Sequence, residues 1–325
     1  MNMNQLIKII GTIVFAGILL SMPTFLDNVY WVSVLIVVGI NVLLVSSLRI
    51  LGLIDHISLG HVGFMLIGGY CSALLVMKVG IPFWAALVLA GLLPGVVALI
   101  LGYPFLRLKG VYFAVLTLMT AEVFRSTAWA WTSLTGGNQG LIRIPPPSFW
   151  GLVDFANVNN YYYLMLFIVA LSLIIIYRLE HSSLGFKWRA IRDADNLALS
   201  VGINVMWYKM VNFAIASFFA GISGALFAHY QHALSADPQA RFGVIMSLYL
   251  VIYLVVGGRD KFAGPIIGAS ILTLVSELAR PLEAYQPMLM GGIAVIVALL
   301  MPEGLINLPE MIKPLYTKVL KRGNT

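Results

Sequence analysis

In a chain that is 60% hydrophobic and only 10% charged, the few ionisable residues set among apolar ones are those that could do chemistry. Glu122 and Arg125 lie three apart in LTLMTAEVFRSTAW. On a helix that spacing puts both on one face, close enough to pair. Thr117 and Thr120 lie just below them. The group reads either as the polar wall of a solute pathway, matching a zwitterion or an amide, or as a structural ion pair near a membrane interface. Glu277 and Arg280 repeat the spacing at the end of another apolar run, where the structural role is favoured. In HISLGHVGF, Ser58 reads first as a helix N-cap and second, with His61, as pathway lining. His56 and His61 are five apart and share a helical face poorly, so turn and helix-end roles are expected of them. His229 and His232 are three apart, but no third ligand is near, and interfacial positions suit them better than zinc. Asp193 and Asp195 are too sparse for the metal-binding carboxylates of a lipid-phosphate enzyme. The single cysteine, Cys71, excludes an intramolecular disulfide and a cysteine metal cluster and reads as a small packing residue. The chain has no G-x-x-x-x-G-K-[ST], H-E-x-x-H or G-x-S-x-G motif, so neither a P-loop nor the corresponding hydrolases are encoded. No catalytic residue and no metal site are expected.

The elements that must position these residues are set by composition. Soluble domains carry about 25% charged residues, and a helix crosses a hydrocarbon core with about 20 apolar residues. Ten runs have that character: 7–23, 30–48, 57–78, 82–102, 111–131, 161–179, 210–231, 242–258, 263–280 and 287–302. None shows the apolar/polar alternation of barrel strands, so they are read as helices. The expected fold is an all-α polytopic integral membrane protein of about ten transmembrane helices, one transmembrane domain over residues 1–325. The Gly-rich run 57–78 and the short run 242–258 give the weakest signals, and the second reads as partly re-entrant. The first run lacks a small-residue cleavage site and is read as a retained helix rather than a signal peptide.

The formal net charge is +7, but its distribution argues against nucleic acid. With the N-terminus inside, ten spans return the C-terminus to the same side, and 15 of the 20 Lys and Arg residues fall in the inner segments, including a basic tail over 303–325. The positive-inside rule selects this orientation, with both termini cytoplasmic.

Two loops are long. The outer one, 132–160, carries Gly136, Gly137 and Gly140, which permit tight turns, then Pro145, Pro146 and Pro147, which stiffen the chain. It reads as a cap or a docking surface for a soluble partner, or as an ordered loop with no binding role. The inner one, 180–209, is mixed and basic. KWRAIRDADNLALS reads as a helix, and Gly202 follows as a left-handed C′ residue. An amphipathic helix lying on headgroups is one reading. A handle for a protein partner is the favoured one, because Asp193 and Asp195 would be repelled by anionic lipid. Ala220, Gly221, Gly224, Ala225 and Ala228 recur at helical spacing and let helices approach closely. Gly68-Gly69, Gly257-Gly258 and Gly291-Gly292 read either as close packing or as loosened helices of the kind that build transporter sites.

Five motifs occur in order: SLGHVGF (58–64), LRLKGVYFAVLTL (106–118), WTSLTGGNQGL (131–141), SSLGFKWRAIRD (182–193) with VGINVMWYK (201–209), and MPEGL (301–305). Together they resemble the LivM-type permeases of branched-chain amino acid ABC importers, over residues 30 to 305. The resemblance implies a permease subunit of a bacterial or archaeal inner (plasma) membrane. It would pair with a second, LivH-like permease, be driven by two cytoplasmic ATP-binding subunits, and receive solute from an extracytoplasmic binding protein. Such a subunit is not itself an enzyme and needs no cofactor, since ATP is bound by its partners. The implied cargo is leucine, isoleucine and valine, with urea or short amides carried by close relatives. The family's coupling segment falls on Lys187, Trp188, Arg189, Ile191, Arg192 and Asp193 through Ala198 and Gly202. Arg189 and Arg192 are expected to bond the ATPase surface, and Trp188 or Ile191 to fill a pocket in it. Many relatives carry Ala-Ala-Glu near 197–199, where this chain has Leu197-Ala198-Leu199, so an acidic contact is missing. A self-sufficient secondary transporter or channel would need mid-membrane ion-coupling groups, of which the sequence offers few. A membrane-embedded lipid enzyme would need a cluster of polar catalytic residues.

Overall fold

A computed structural model describes residues 17–25, 28–148, 154–237, 242–301 and 303–308. The start of the first predicted span and the basic tail from 309 onward lie outside the described residues. Residues 17–25 are helical. The remaining helices are α1 (Val29–Gly52), α2 (His61–Leu74, continued by a π-helical turn, Leu75–Val79), α3 (Phe83–Phe105), α4 (Val111–Ala130), the single turn α5 (Thr132–Thr135), α6 (Val158–Glu180), α7 (Ser183–Asp193), α8 (Asp195–Ser200), α9 (Val205–Gln231), α10 (Val244–Gly257), α11 (Gly264–Leu278) and α12 (Gln286–Leu300). The protein is thus a mostly helical, polytopic membrane protein. Among the described residues, Leu141–Ile142 pairs antiparallel with Ala233–Leu234 in a two-stranded ladder, and Ser148 forms an isolated bridge with Asp154.

Five described helices are long and apolar enough to cross a membrane: α1, α2 with its π turn, α3, α6 and α9. The weak sequence signal over 57–78 therefore marks a genuine long helix. Helix α4 has 20 residues but is more polar, because it carries Thr117, Thr120, Glu122, Arg125, Ser126 and Thr127. Helices α10, α11 and α12 have 14 or 15 residues each. At 1.5 Å per residue these are only about 21–23 Å long, short of the ~30 Å hydrocarbon thickness.

Burial follows from side-chain size. Helix α9 is the hub, packed on α3, α2 and α1, while α1 also carries α6 and α11. Among lipid tails apolar side chains gain little from burial itself, so close helix contact rests on small residues. A Cβ on Gly68 would collide with Gly221, one on Gly221 with the Ala90 carbonyl, and one on Gly224 with the Met65 carbonyl. These glycines let α9 touch α2 and α3 backbone to backbone. The expectation of close packing for this stripe holds. Gly257 meets Gly264 in the same way, joining α10 to α11. By contrast, Gly291 and Gly292 have open space around them. Helix α4 lies at the margin: only Phe113, Thr117, Ala121, Arg125 and Ala128 are buried.

At the α4–α5 end, Gly136, Gly137 and Gly140 all take positive φ (77°, 60° and 67°), as the tight-turn reading requires. His229 and His232 fasten this loop to α9: their Nδ1 atoms lie 2.8 Å from the Pro145 carbonyl and 2.9 Å from the Ile144 carbonyl. A carbonyl only accepts, so Nδ1 carries the proton in both rings. His229 Nε2 then accepts from the Ser72 hydroxyl at 2.9 Å. The two histidines hold different carbonyls.

Candidate functional site: a charged elbow and an exposed helix face

The segment 180–209 folds as an elbow between α6 and α9. Ser182 caps α7, its Oγ accepting from the Leu184 N–H at 3.2 Å. Gly185 lies against the Glu180 backbone, where a Cβ would strike the Glu180 carbonyl. The expected single helix over 187–200 is broken at Ala194, whose backbone is extended (φ −161°, ψ 98°). Past the break, α8 ends in a Schellman motif: Gly202 N–H donates to the Leu199 carbonyl and Ile203 N–H to the Ala198 carbonyl, both at 3.0 Å. Gly202 sits at φ 83°, so the sequence reading of it as a left-handed C′ residue is correct.

The structure sorts the predicted coupling residues into two groups. Trp188, Ile191 and Ala198 are buried, each 3% exposed or less. Trp188 joins the main core and donates its indole N–H to the Tyr208 carbonyl at 3.0 Å. Ile191 and Ala198 form a small core of their own with Val205, backed by Ile203 and Tyr208. The pocket filled by Trp188 and Ile191 is therefore inside this chain, which corrects the expectation that they reach into a partner. The large apolar groups of this segment that do face outward are Phe186, Leu197, Leu199, Val201 and Trp207, 72%, 69%, 55%, 74% and 54% exposed. Arg192 and Asp193 are also exposed, Arg189 stacks near Phe186, and Lys187 donates to the Tyr208 hydroxyl at 2.6 Å.

Ion pairs latch the elbow to the helix ends. Asp195 accepts from Lys209 at 2.8 Å and Lys109 at 2.9 Å. Burial pushes the Asp195 carboxyl up, but the hydrogen bonds from the two lysines outweigh it and hold it below the usual carboxylate range. Arg192 reaches Asp260 at 3.4 Å. Beneath it, Arg49 at the end of α1 forms two bonds to Glu180, at 2.7 and 2.8 Å, and also donates to the carbonyls of Arg259 and Asp260 at 2.9 and 3.0 Å. Arg49 and Glu180 are buried. The sequence reading counted Arg49 only as a topology charge and passed over Glu180. The available signal was their position: each is the one charge of its sign at the end of a long apolar run.

The six candidate pathway residues do not gather in one space. Ser58, His61 and Thr117 are buried where the 53–60 turn meets α4. The Ser58 Oγ accepts from the Gly60 N–H at 3.2 Å, and the Thr117 hydroxyl accepts from the Leu59 N–H at 3.2 Å. His61 lies 2.8 Å from the Ser47 hydroxyl. Helix α2 starts at His61 with Gly60 as its N-cap residue, so Ser58 braces the turn before the helix instead of capping it. Thr120 is half-buried and donates back to the Leu116 carbonyl. Glu122 and Arg125 are paired as the i,i+3 spacing requires. Arg125 is buried and also donates to the Ala236 carbonyl at 2.8 Å, while the Glu122 side chain is 38% exposed. Glu277 and Arg280 pair at 3.0 Å. No group of three or more potential metal ligands occurs among the described residues.

Residues 30–300 match the family model described as "Branched-chain amino acid transport system / permease component". The chain belongs to this permease family. It is 32% identical over 297 residues to the LivM permease of the high-affinity branched-chain amino acid transport system of Escherichia coli, covering 85% of this chain and 68% of that protein, and matches the Salmonella typhimurium LivM equally. Similarity to the E. coli LivH permease is 24% over 285 residues, covering 81% of this chain and 89% of LivH. No solved structure matches the permease. The family places the elbow and the α4 face in a transport subunit, and the ordered motifs of the sequence reading carried that assignment correctly.

Proposed function

We propose that this permease is the LivM-like half of an ABC importer that carries leucine, isoleucine and valine across the inner membrane of a bacterium or archaeon. A LivH-like permease forms the other half, two cytoplasmic ATP-binding subunits drive the cycle, and an extracytoplasmic protein delivers solute. The observation that carries this reading is the elbow. It is a capped pair of helices with its own small core, and the end of α8 presents three exposed apolar side chains, Leu197, Leu199 and Val201, flanked by exposed charge. That is the anatomy of a docking knob: an apolar centre with a polar rim.

In this reading, ATP-driven closure pushes on residues 187–202. The load passes through Asp195 to the start of α9 at Lys209, and through the Arg49–Glu180 bonds to the end of α6. Helices α6 and α9 are re-aimed, and a path opens between the two permeases. Leu197, Leu199 and Val201 make the apolar contact, taking the place of the acidic residue that many relatives carry here. Replacing Arg192 with Glu sets a third carboxylate beside Asp260 and Asp193. The R192E complex is expected to insert normally and hydrolyse ATP, but to take up leucine at least tenfold more slowly in reconstituted vesicles. Normal coupled uptake would refute the assignment of the elbow.

A further inference from the structure

Helix α4 presents a face that its own chain leaves uncovered. Met119, Glu122, Val123, Ser126, Thr127 and Ala130 recur at the i, i+3, i+4, i+7 positions of one helical stripe. With Trp131 they line an open groove of about 800 Å³. A carboxylate and two hydroxyls are costly against lipid, so lipid is the wrong occupant. The electrostatics of the stripe are one-sided. Arg125 points its charge into the protein, held by the Ala236 carbonyl, and fixes the Glu122 carboxylate from behind. The end of the pair that meets the groove is therefore the negative one. Around it, Met119, Val123, Ala130 and Trp131 supply an apolar wall, and Ser126, one turn from Glu122, supplies a hydroxyl.

We infer that this groove is a cargo site for a small primary amine with an aliphatic side chain. Glu122 takes the ammonium group, the Met119–Val123–Trp131 wall takes the aliphatic branch, and the Ser126 and Thr127 hydroxyls are placed to donate to a carboxylate. Arg125 is a positioning residue, since its donors are spent on Glu122 and Ala236. The inference rests on the proposed import of branched-chain amino acids and extends it to the residues that read the ammonium end.

The test uses the complete importer in vesicles. ATP-dependent leucine uptake by the unsubstituted complex scores the functional reading, and its absence overturns that reading alone. The groove is scored separately, by labelling. In a C71A/S126C subunit within the same complex, an impermeant thiol reagent is added from the side of the 132–148 loop, and its attachment to this subunit is read by mass. Leucine and isoamylamine, which share the ammonium and the aliphatic tail, are each expected to slow labelling at least fivefold. 4-Methylpentanoate, which lacks the ammonium, is expected to leave the rate unchanged. In C71A/S126C/E122Q the protection by both amines is expected to disappear. The amine-versus-acid comparison is made on native Glu122, so it decides the matter even if the Gln variant fails to assemble. An unreactive Cys at 126 would overturn the inference, because lipid or the second permease would then cover the face. Equal protection by 4-methylpentanoate, or protection that survives Glu122→Gln, would overturn it as well.

Discussion

Arg49 is the residue on which the elbow and the helix ends converge. Its guanidinium meets Glu180 with two bonds and two backbone carbonyls with the rest. Removing one member of a buried pair leaves the other without a counter-charge, at a cost of about 3–5 kcal/mol. Glu180→Ala is therefore expected to lower the thermal unfolding midpoint of the purified complex strongly. The charge-swapped R49E/E180R variant is expected to stay destabilised, because a carboxylate at 49 cannot donate to the Arg259 and Asp260 carbonyls. Recovery of the midpoint in the swap would show that charge alone holds this junction. Asp195 behaves differently with pH. Its folded carboxyl lies below the usual range, so the latch to Lys209 is fully present above the ordinary value of about 3.9. It is lost only as pH falls through the lower folded value. Between pH 5 and 8 the ratio of solute moved to ATP hydrolysed should show no titration from this group. D195N should lower that ratio equally across the range.

At the scale of elements, the elbow depends on its break and its cap. Ala194 turns the chain out of α7, and the Schellman motif stops α8 so that Val201 and Leu199 face outward. Gly202 has open space around it, so Gly202→Ala meets no clash. Its cost is conformational, about 1–2 kcal/mol for a left-handed non-glycine residue. The variant is expected to fold and insert but to couple less efficiently, seen as lower leucine uptake at unchanged membrane abundance. Leu199→Asp tests the knob itself. The side chain is exposed, so stability should hold, whereas co-purification of the ATP-binding subunits with the permease should drop at least tenfold. Retention of those subunits would move the docking surface elsewhere.

Across the whole molecule, the bundle is set by where backbones can touch. Gly221→Leu has no room between α9 and α3, and a folded subunit is expected to be absent from size-exclusion profiles of the purified importer. Gly291→Leu, in open space on α12, is expected to elute as the wild type. Equal behaviour of the two would mean that the α2–α3–α9 contact does not limit assembly. The margin of the bundle has the opposite character. Helix α4 buries only a quarter of its residues, five of 20, and it is also the most polar of the long helices. A face that is neither packed nor fully apolar fits a surface left open to cargo.

Most long-helix positions among the described residues, the pairing of Glu122 with Arg125, the turn at Gly202 and the family were legible in the amino-acid order. They depend on local rules: apolar run length, i,i+3 spacing, a glycine that must take positive φ, and motifs read in sequence. Which way Trp188 and Ile191 face was not legible, because in a mixed helix either side could be the buried one. That choice was made by Tyr208 and Val205, which arrive from α9. The Arg49–Glu180 bonds join positions 131 residues apart, and the fan of carbonyls around Arg49 comes from a third segment again. Sequence spacing carries no information about such meetings. They exist only once small residues such as Gly68, Gly221 and Gly224 have let the helices close on one another, and that closure is a property of the assembled bundle.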